Sequence, residues 1–564
     1  MEPKSPSKLK LPVMGLFQYK RVLKLTVIVS VMVVILVGAY LAFKPGTSTS
    51  VLKGSYYTVV VDCGSSGTRI NVYEWVANSS SKRELPILLH SYPDNSTHNS
   101  LWKSSCKYHC MQTEPGLDKS IGNSSGVRAS LEPLIMWAEN MVPFERRSST
   151  PIFVLATAGL RRLAIEEAMG ILEDVEAVVK DYSFMHRKSW IRVLSGKEEA
   201  YYGWVALNYK MGSLSNHSRS PNLGLLDLGG SSLQVVMEIN DVKEETHLVR
   251  SKFGFTEHQI LAYSLPAYGL NEAFDRTVAM LSHTQELRES TGGRLKLRHP
   301  CFGSDFVQNY TCYGCFRRNV ANQKILTSEL LRSEYPSVYL VGEPNWEHCK
   351  LLARAAAVNS SSLDLPWTTA GEESKARFCA DNDSGIINWT ALAHPAARFH
   401  ALSGFFVVYD MLNLHPRANL TKIWENGQQL CSGSWANFSS VSGNQHNAGQ
   451  NCFRVPYMAS LIEDALCLGD REILFGPADV SWTLGAALVE GEFPWIATTI
   501  SNGTLIVNMD VISSPIVIFV LLLCLVVIVY RSQVKLPMSG KKVAAPGAPG
   551  TSLPTYIHPK RRPN

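Results

Sequence analysis

Two short loops in the sequence combine the residue types that bind phosphate. In the first, Asp62 closes an apolar run, and a turn of small residues follows it: Gly64, Ser65, Ser66, Gly67 and Thr68. Glycine lets backbone amides approach an anion closely, and hydroxyl groups add hydrogen-bond donors. The loop is therefore suited to hold phosphate while Asp62 faces an adjacent cation. An ordinary hairpin is the alternative for this segment taken alone.

The second loop repeats this plan 165 residues further along the chain. Asp227 closes another apolar run, and the residues after it include Gly229, Gly230, Ser231, Ser232 and Gln234. Two copies of strand, Asp-x-Gly and small turn indicate duplicated lobes that face each other across a cleft. Each lobe then contributes one phosphate loop and one carboxylate. Neither is a Walker loop, which requires Gly-Lys-Ser/Thr leading into a helix.

A carboxylate between the loops is the candidate general base. Ser195 and Glu198 have the Ser-x-x-Glu spacing of a capping box, which gives Glu198 a structural role at a helix start. Glu199 is rotated by about 100° from Glu198 around the helix, so it is free to point into the cleft. There, a carboxylate can take the proton of a water that attacks phosphate. A solvated helix face is the alternative for Glu199.

The elements that must position these residues follow from the hydrophobic pattern. Residues 56–75 and 223–236 each read as strand, tight hairpin, strand, and residues 191–209 as strand then helix. The segment 151–163 predicts a buried strand whose end releases Thr157 into a turn before a helix. Thr157 then either contacts phosphate or caps that helix.

Two apolar runs near the ends of the 564-residue chain predict membrane spans. Residues 25–43 and 511–530 each approach the ~20 residues that cross a bilayer. The first run is long for a signal peptide and lacks a clear cleavage site, which favours an anchor. Lys and Arg crowd both outer tails, so both termini are expected in the cytosol and residues 44–510 outside it or in a lumen. The basic tails then serve membrane retention, and nucleic acid is not an expected partner.

Sequons and cysteines agree with that topology. Every N-glycosylation sequon lies between the two predicted spans: Asn78, Asn95, Asn123, Asn216, Asn309, Asn359, Asn382, Asn388, Asn419, Asn437 and Asn502. Apart from Cys63 and Cys524, ten cysteines suit five disulfides whose pairing stays open: Cys106, Cys110, Cys301, Cys312, Cys315, Cys349, Cys379, Cys431, Cys452 and Cys467. Zinc at Cys312 and Cys315 is the alternative, but no second pair has zinc-finger spacing.

These motifs resemble the first four conserved regions of the apyrase family, the ecto-nucleoside triphosphate diphosphohydrolases, and residues 479–488 resemble the fifth. The resemblance implies an α/β fold of two RNase H-like lobes of the actin, Hsp70 and sugar-kinase type, with the active site between them. It also implies hydrolysis of terminal phosphates of nucleoside di- and triphosphates with Mg²⁺ or Ca²⁺. The alternatives are a kinase or polyphosphate hydrolase on the same fold and a catalytically silent nucleotide receptor.

The resemblance also implies roles for single residues. Asp62 and Asp227 match aspartates that hold the metal largely through water, Glu199 matches the general base, and Ser232 and Gln234 match groups that position the attacking water. The phosphate-binding set is Ser65, Ser66, Gly67, Thr68, Thr157, Gly229, Gly230 and Ser231, with Trp482 in support. The candidates for stacking on the base are Phe405, Phe406, Tyr409 and Tyr457, for each of which core packing is the alternative.

The predicted organisation follows the spans and motifs. Lobe I covers residues 55–190 and is completed by residues 475–505, lobe II covers residues 191–474, and the tails are residues 1–24 and 531–564. The loop GSSGTR at residues 64–69 is more similar to endomembrane and plant members of the family than to cell-surface vertebrate enzymes. A Golgi or other endomembrane location is therefore favoured, with the plasma membrane as the alternative.

Overall fold

The structure is a computed structural model. It describes residues 55–76, 85–93, 111–214, 222–239, 246–253, 256–284, 288–290, 294–304, 306–312, 337–358, 379, 386–387, 398–417, 419–432, 450–491 and 496–500. No helix in these ranges combines the length and apolar composition needed to cross a bilayer. The predicted spans, residues 25–43 and 511–530, lie outside the described ranges.

The strands of the described residues are β1 (Tyr56–Cys63), β2 (Thr68–Val76), β3 (Ile87–Tyr92), β4 (Gln112–Thr113), β5 (Ile152–Ala156), β6 (Ile191–Val193), β7 (Gly224–Leu228), β8 (Ser232–Glu238), β9 (Leu248–Phe253), β10 (Thr256–Pro266), β11 (Arg288–Ser290), β12 (Arg294–His299), β13 (Val307–Thr311), β14 (Ser337–Gly342), β15 (Arg398–Ser403), β16 (Glu472–Phe475) and β17 (Ile496–Ile500). They form three sheets, with orders β3-β2-β1-β5-β6 (β4 beside β2), β16-β15-β7-β8-β10-β9-β17 and β11-β12-β14-β13.

The α-helices of the same residues are α1 (Ser124–Met141), α2 (Phe144–Arg147), α3 (Ala158–Arg161), α4 (Ile165–Val179), α5 (Gly196–Lys210), α6 (Leu270–Thr284), α7 (Trp346–Val358), α8 (Gly404–Met411), α9 (Leu420–Ser432), α10 (Asn451–Ser460) and α11 (Trp482–Glu490). Short 3₁₀ turns occupy Leu117–Lys119 and Lys188–Trp190, and a π-turn, Leu461–Ala465, continues α10. Helices and mixed sheets together give an α/β fold.

The first two sheets repeat one topology. In the first, β1 is antiparallel to β2 and parallel to β5. In the second, β7 is antiparallel to β8 and parallel to β15. The orders β3-β2-β1-β5-β6 and β10-β8-β7-β15-β16 therefore correspond strand by strand. The duplication inferred from the two loops is present in the sheets, and each glycine loop connects the two central strands of its sheet.

Two strands differ from the predicted lobe boundaries. β6 starts at Ile191, where lobe II was expected to begin, but it pairs with β5 in the first sheet. β17 lies in the segment expected to complete lobe I, but it pairs with β9 in the second sheet. Pairing partners far apart in sequence decide the sheet of a strand, and a local pattern does not encode them.

A core cluster between the sheets surrounds α5 and α11. It contains Val60 of the first sheet and Leu225 of the second, together with Trp204 of α5, and all three are fully buried. A Cβ atom at Gly485 of α11 would collide with the carbonyl oxygen of Tyr202 in α5. The glycine therefore lets the two helix backbones touch, which fixes the helix that carries Glu199.

Disulfides form among the predicted cysteines. The pairs are Cys301–Cys349, Cys379–Cys467 and Cys431–Cys452, and Cys312 is also disulfide-bonded. Among the described residues Cys63, which the sequence analysis left out of the disulfide set, is free and buried. The disulfide prediction is thus confirmed for seven cysteines; Cys106, Cys110, Cys315 and Cys524 lie outside the described ranges. Three sequon asparagines are described, Asn123, Asn309 and Asn419, and all are exposed.

Candidate active site

The first glycine loop is a tight hairpin between β1 and β2. The amide of Gly64 donates to the carbonyl oxygen of Gly67 at 3.0 Å and closes the turn. A Cβ atom at Gly67 would lie 2.6 Å from the carbonyl oxygen of Thr113, so a larger residue does not fit there without a shift. Ser66, at the tip, is exposed. Its hydroxyl is therefore accessible to a ligand.

The second loop has the same construction between β7 and β8. The amide of Gly229 donates to the carbonyl oxygen of Ser232 at 2.9 Å, which matches the bond from Gly64 to Gly67. Asp227 lies opposite Gln234 in the ladder, as Asp62 lies opposite Arg69. Each loop therefore presents one aspartate at the end of its first strand.

The two loops contact each other. A Cβ atom at Gly230 would lie 2.6 Å from Oγ of Ser66 and 2.8 Å from Oγ of Ser65. Glycine at position 230 thus permits the second loop to approach both hydroxyls of the first. The sequence predicted two phosphate loops facing each other, and the structure brings them together at this point.

Three buried carboxylates lie beside the loops. Asp62, Asp227 and Glu199 are 6%, 7% and 8% exposed. Burial raises the pKa of Asp62 to about 7, against the opposing effect of Arg69, and the charges of Glu199 and Asp227 raise it further. Burial raises the pKa of Asp227 to about 6, which its hydrogen bond with Ser403 opposes. The pocket thus concentrates negative charge that is poorly solvated.

The chemistry of the aspartates fits a divalent cation. Nη1 of Arg69 lies 3.4 Å from Oδ2 of Asp62. The other oxygen, Oδ1, is buried and has no hydrogen-bond partner in the described part of the chain. Carboxylate oxygens are preferred ligands of Mg²⁺ and Ca²⁺. Across the same ranges, no three His, Cys, Asp or Glu side chains are grouped to bind a metal.

Glu199 is held at the start of α5. The predicted capping box is confirmed, because the amide of Glu198 donates to Oγ of Ser195 and Oε2 of Glu198 accepts from the Ser195 amide. Burial raises the pKa of Glu199, while its ion pair with Arg161 lowers it. Nη2 of Arg161 lies 2.7 Å from Oε2 of Glu199, and Nη1 donates to the carbonyl oxygen of Leu194.

Ser232 and Gln234 form a short hydrogen-bonded chain on β8. Nε2 of Gln234 donates to Oγ of Ser232 at 2.7 Å and to Oγ of Ser264 at 3.3 Å. Because the Ser232 oxygen accepts from the amide, its own proton is directed elsewhere. The neighbouring Ser231 hydroxyl is buried and has no hydrogen-bond partner within the described ranges.

Thr157 and Trp482 lie at the ends of elements that reach the loops. Thr157 occupies the N-cap position of α3, yet its side chain makes no capping hydrogen bond. A Cβ atom at Gly159 would lie 3.0 Å from Cα of Ser65, so this turn packs on the first loop. A Cβ atom at Gly203 would lie 3.9 Å from both Cβ of Trp482 and Oδ2 of Asp227. Thr157 and Trp482 are therefore close to the site, as expected.

The candidate stacking residues divide into two groups. Phe405, Tyr409 and Tyr457 are 0%, 3% and 0% exposed and belong to the core of the second sheet. Their burial favours core packing, the alternative that the sequence left open for each of these three rings. Phe406 is half-buried and keeps a partly accessible face.

Several residues in the site were not among the predicted ones. Arg161 contacts Glu199, and Asn271 of α6 donates to Oγ of Ser66 at 3.2 Å. Ser403 contacts Asp227 and has a φ of 55°, in the left-handed region. Arg161 lies at the end of α3, within the segment 151–163 that the sequence analysis discussed, and this position could have identified it. The contacts of Asn271 and Ser403 span long sequence distances, and no local pattern pointed to them.

Fold and site together define a class: an α/β protein whose two related sheets bring two glycine loops into contact beside buried carboxylates. The sequence profile of the GDA1/CD39 (nucleoside phosphatase) family matches residues 50–501. The chain therefore belongs to the GDA1/CD39 family, which confirms the resemblance and the predicted enzyme class, an apyrase-type hydrolase.

Individual relatives agree. The chain is 37% identical over 441 residues to "Probable apyrase 7" of Arabidopsis thaliana, covering 77% of this chain and 57% of that protein. It is 32% identical over 476 residues to the guanosine-diphosphatase of Saccharomyces cerevisiae, covering 79% of this chain and 82% of that protein. A crystal structure of nucleoside triphosphate hydrolases from Neospora caninum aligns with a TM-score of 0.51 at 15% identity, covering 77% of this chain and 92% of that chain. This last likeness shows a shared fold.

Proposed function

We propose that the enzyme removes the terminal phosphate of nucleoside di- and triphosphates by direct attack of water, in a cleft between two actin-type lobes. The observation that carries the proposal is the contact of the two glycine loops at Ser66 and Gly230, beside Asp62, Asp227 and Glu199. Phosphate loops from both lobes then surround one terminal phosphate, and the carboxylates lie at its edge.

The loops bind the phosphate oxygens. Backbone amides and the hydroxyls of Ser65, Ser66, Thr68 and Ser231 supply neutral donors, and Thr157 adds one from the turn after β5. Donors that are fixed before the reaction stabilise charge in the transition state without reorganisation. The rigid hairpins, each closed by an amide-to-carbonyl bond at its glycine, provide that fixed geometry.

Asp62 and Asp227 would hold a divalent cation, Mg²⁺ or Ca²⁺, largely through water. The cation would supply positive charge that offsets the charge of the phosphate oxygens and of the two aspartates. The protein's part is to orient both aspartates toward the cation. Arg69 orients one oxygen of Asp62 and leaves Oδ1 open, and Ser403 contacts Asp227.

Glu199 removes the proton of the attacking water. The water oxygen forms a bond to the terminal phosphorus, the bridging P–O bond breaks, and the leaving oxygen belongs to the shortened nucleotide. Burial raises the pKa of Glu199 and so makes its carboxylate a stronger base than an exposed one. Ser232 and Gln234 orient the water from β8, because their mutual hydrogen bond fixes both side chains.

The substrate class follows from the site and the relatives. A yeast relative at 32% identity is named for guanosine diphosphate, and this supports nucleoside diphosphates among the substrates of this chain. Of the candidate stacking rings, the half-buried Phe406 alone has access to a base.

We further propose that the catalytic region lies on the non-cytosolic side of an endomembrane and is anchored by spans at both ends. The disulfides support an oxidising compartment. The exposed sequon residues Asn123, Asn309 and Asn419 are accessible to glycosylation. The lobe division at residues 55–190 and 191–474 stays part of the proposal, with β6 and β17 reassigned by their sheet pairing.

Phosphate release from a panel of nucleotides tests the proposal. The panel contains nucleoside tri-, di- and monophosphates and inorganic polyphosphate, each with Mg²⁺, with Ca²⁺ and with EDTA. We expect release from di- and triphosphates with either cation and none with EDTA. Release from polyphosphate alone would replace the proposal with a polyphosphatase, and binding without release would replace it with a receptor.

A further inference from the structure

Asn271 makes hydrogen bonds with both glycine loops. Its backbone bonds to the second loop: the Asn271 amide donates to the carbonyl oxygen of Gly230 at 2.8 Å. The amide of the preceding residue, Leu270, donates to the carbonyl oxygen of Gly229 at 3.0 Å. A Cβ atom at Gly269 would collide with the backbone of Gly230 and Ser231. The start of α6 is therefore fixed rigidly to the second loop.

The side chain of Asn271 contacts the first loop. Nδ2 donates to Oγ of Ser66 at 3.2 Å, across 205 residues of sequence. The same Nδ2 would lie 3.0 Å from a Cβ atom at Gly230, where the Ser65 and Ser66 hydroxyls also converge. The amide group thus stands at the point where the loops meet.

We propose that Asn271 is a positioning residue that aims the hydroxyl proton of Ser66 at bound phosphate, an inference that rests on the proposed phosphohydrolase function. A serine hydroxyl has one proton to donate and accepts through its lone pairs. Because its oxygen accepts from Nδ2 of Asn271, the Ser66 proton is free for a phosphate oxygen. Ser66 is exposed at the loop tip, so that proton can reach a ligand.

The amide is required for this role, because a carboxylate reverses the bond. In Asn271→Asp the ionised side chain accepts a hydrogen bond from the Ser66 hydroxyl, which turns that proton away from phosphate. It also adds a negative charge beside the anion. Protonation of the introduced aspartate restores a donor. The activity of N271D relative to the wild type should therefore fall as pH rises through the pKa of that carboxyl. A merely structural role would leave the ratio independent of pH.

The test uses the full chain with N271A, N271D, S66A and the double variant N271A/S66A. Two readouts are kcat/KM for nucleotide and calorimetric affinity for inorganic phosphate in the presence of Mg²⁺. N271A should lower both by about tenfold, the order expected for a hydrogen bond to a charged group. In the S66A background, N271A should have little further effect, because the two residues act as one unit. Asn345→Ala is the matched control, since Asn345 caps α7 through the His348 amide and its other hydrogen bonds are with Pro300 and Cys349.

The outcomes separate the inference from the proposed function. Equal losses from N271A with and without Ser66, or no loss at all, would overturn the role of Asn271. If the wild type binds phosphate but releases none from any nucleotide, the proposed function fails while the affinity cycle still decides the inference. N271A and N345A are both measured at a temperature below their unfolding transitions. A difference in activity between them then does not arise from a difference in stability.

Discussion

The buried Glu199 and the half-buried Arg161 form an ion pair in which Nη2 of the arginine lies 2.7 Å from Oε2 of the glutamate. A second guanidinium nitrogen of Arg161 donates to the carbonyl oxygen of Leu194, just before the capping box of α5. The arginine thereby fixes the candidate base to the helix start. The pKa of Glu199 is thus set by two opposed effects: burial, which raises it, and the arginine, which lowers it.

Glu199→Gln should fold, bind nucleotide and lose most turnover. The amide keeps the size and polarity of the side chain but cannot accept the water's proton, a loss that typically lowers the rate by about 10²- to 10⁴-fold. Glu198→Gln is the matched control, because glutamine also serves in a capping box. Phosphate release by the two purified variants measures the contrast. Equal losses in both would mean that the base is misassigned.

Arg161→Ala should move the acid limb of the kcat profile to higher pH. Without the guanidinium, burial raises the pKa of Glu199 unopposed, so the base is protonated over a wider range of acid pH. The loss should therefore be greater at low pH than at high pH, and Arg161→Lys should recover part of it. Arg128→Ala removes an arginine from an exposed ion pair with Asp181 and should leave the profile unchanged. If the acid limb of the kcat profile did not move in R161A, Arg161 would not be the group that lowers the pKa of Glu199.

The cation-free enzyme should become less stable as pH rises from about 4 to about 7. The folded-state pKa values of Asp62 and Asp227, about 7 and about 6, lie above the ordinary value of 3.8. Their contribution to stability is therefore present below pH ~4 and is lost as pH rises through the folded-state values. Mg²⁺ or Ca²⁺ should raise the melting temperature more at high pH, because the cation competes with protons.

Asp62→Asn supplies the control for that experiment, because the amide does not ionise. In EDTA, its melting temperature should fall less over the same pH range than that of the wild type. Added cation should stabilise it less. A wild type whose cation-induced shift is the same at both ends of the range would contradict the coupling.

Thiol counting should find two free cysteines in the denatured, unreduced full chain, Cys63 and Cys524. Mass spectrometry after alkylation measures this number. Reduction should inactivate the enzyme, since a disulfide typically contributes about 2–4 kcal/mol to stability. Cys301→Ser with Cys349→Ser removes one observed bridge and should lower the melting temperature without exposing Cys63. Alkylation of most cysteines would refute the disulfides and the oxidising compartment.

Gly485→Ala should destabilise the protein by about 1–3 kcal/mol, the usual range for overpacking a core. Its Cβ atom would collide with the backbone of Tyr202 in α5 and displace the helix that carries Glu199. Gly170→Ala is the matched control: a Cβ atom there meets nothing within 4 Å, so better helix propensity should give a small gain. Thermal unfolding measures the melting temperatures of both variants. Similar values would mean that the α5–α11 contact tolerates a side chain.

Local sequence determined the chemistry of the loops and the elements that hold them. The apolar runs before Asp62 and Asp227 predicted strands, the small residues after them predicted tight turns, and Ser195 with Glu198 predicted a helix start; all are present. These features depend on residues within a few positions of each other, where backbone propensity and side-chain period decide the outcome. The repetition of one pattern was also enough to indicate two related lobes.

Tertiary structure alone decided which distant groups meet. It placed Asn271 on Ser66 and Ser403 on Asp227, assigned β6 and β17 to their sheets, and buried Tyr457 in the core. An aromatic ring packs equally well in a core or on a ligand, so its sequence position does not say which face stays open. Contacts across hundreds of residues arise from the packing of whole sheets and helices, which no local pattern encodes.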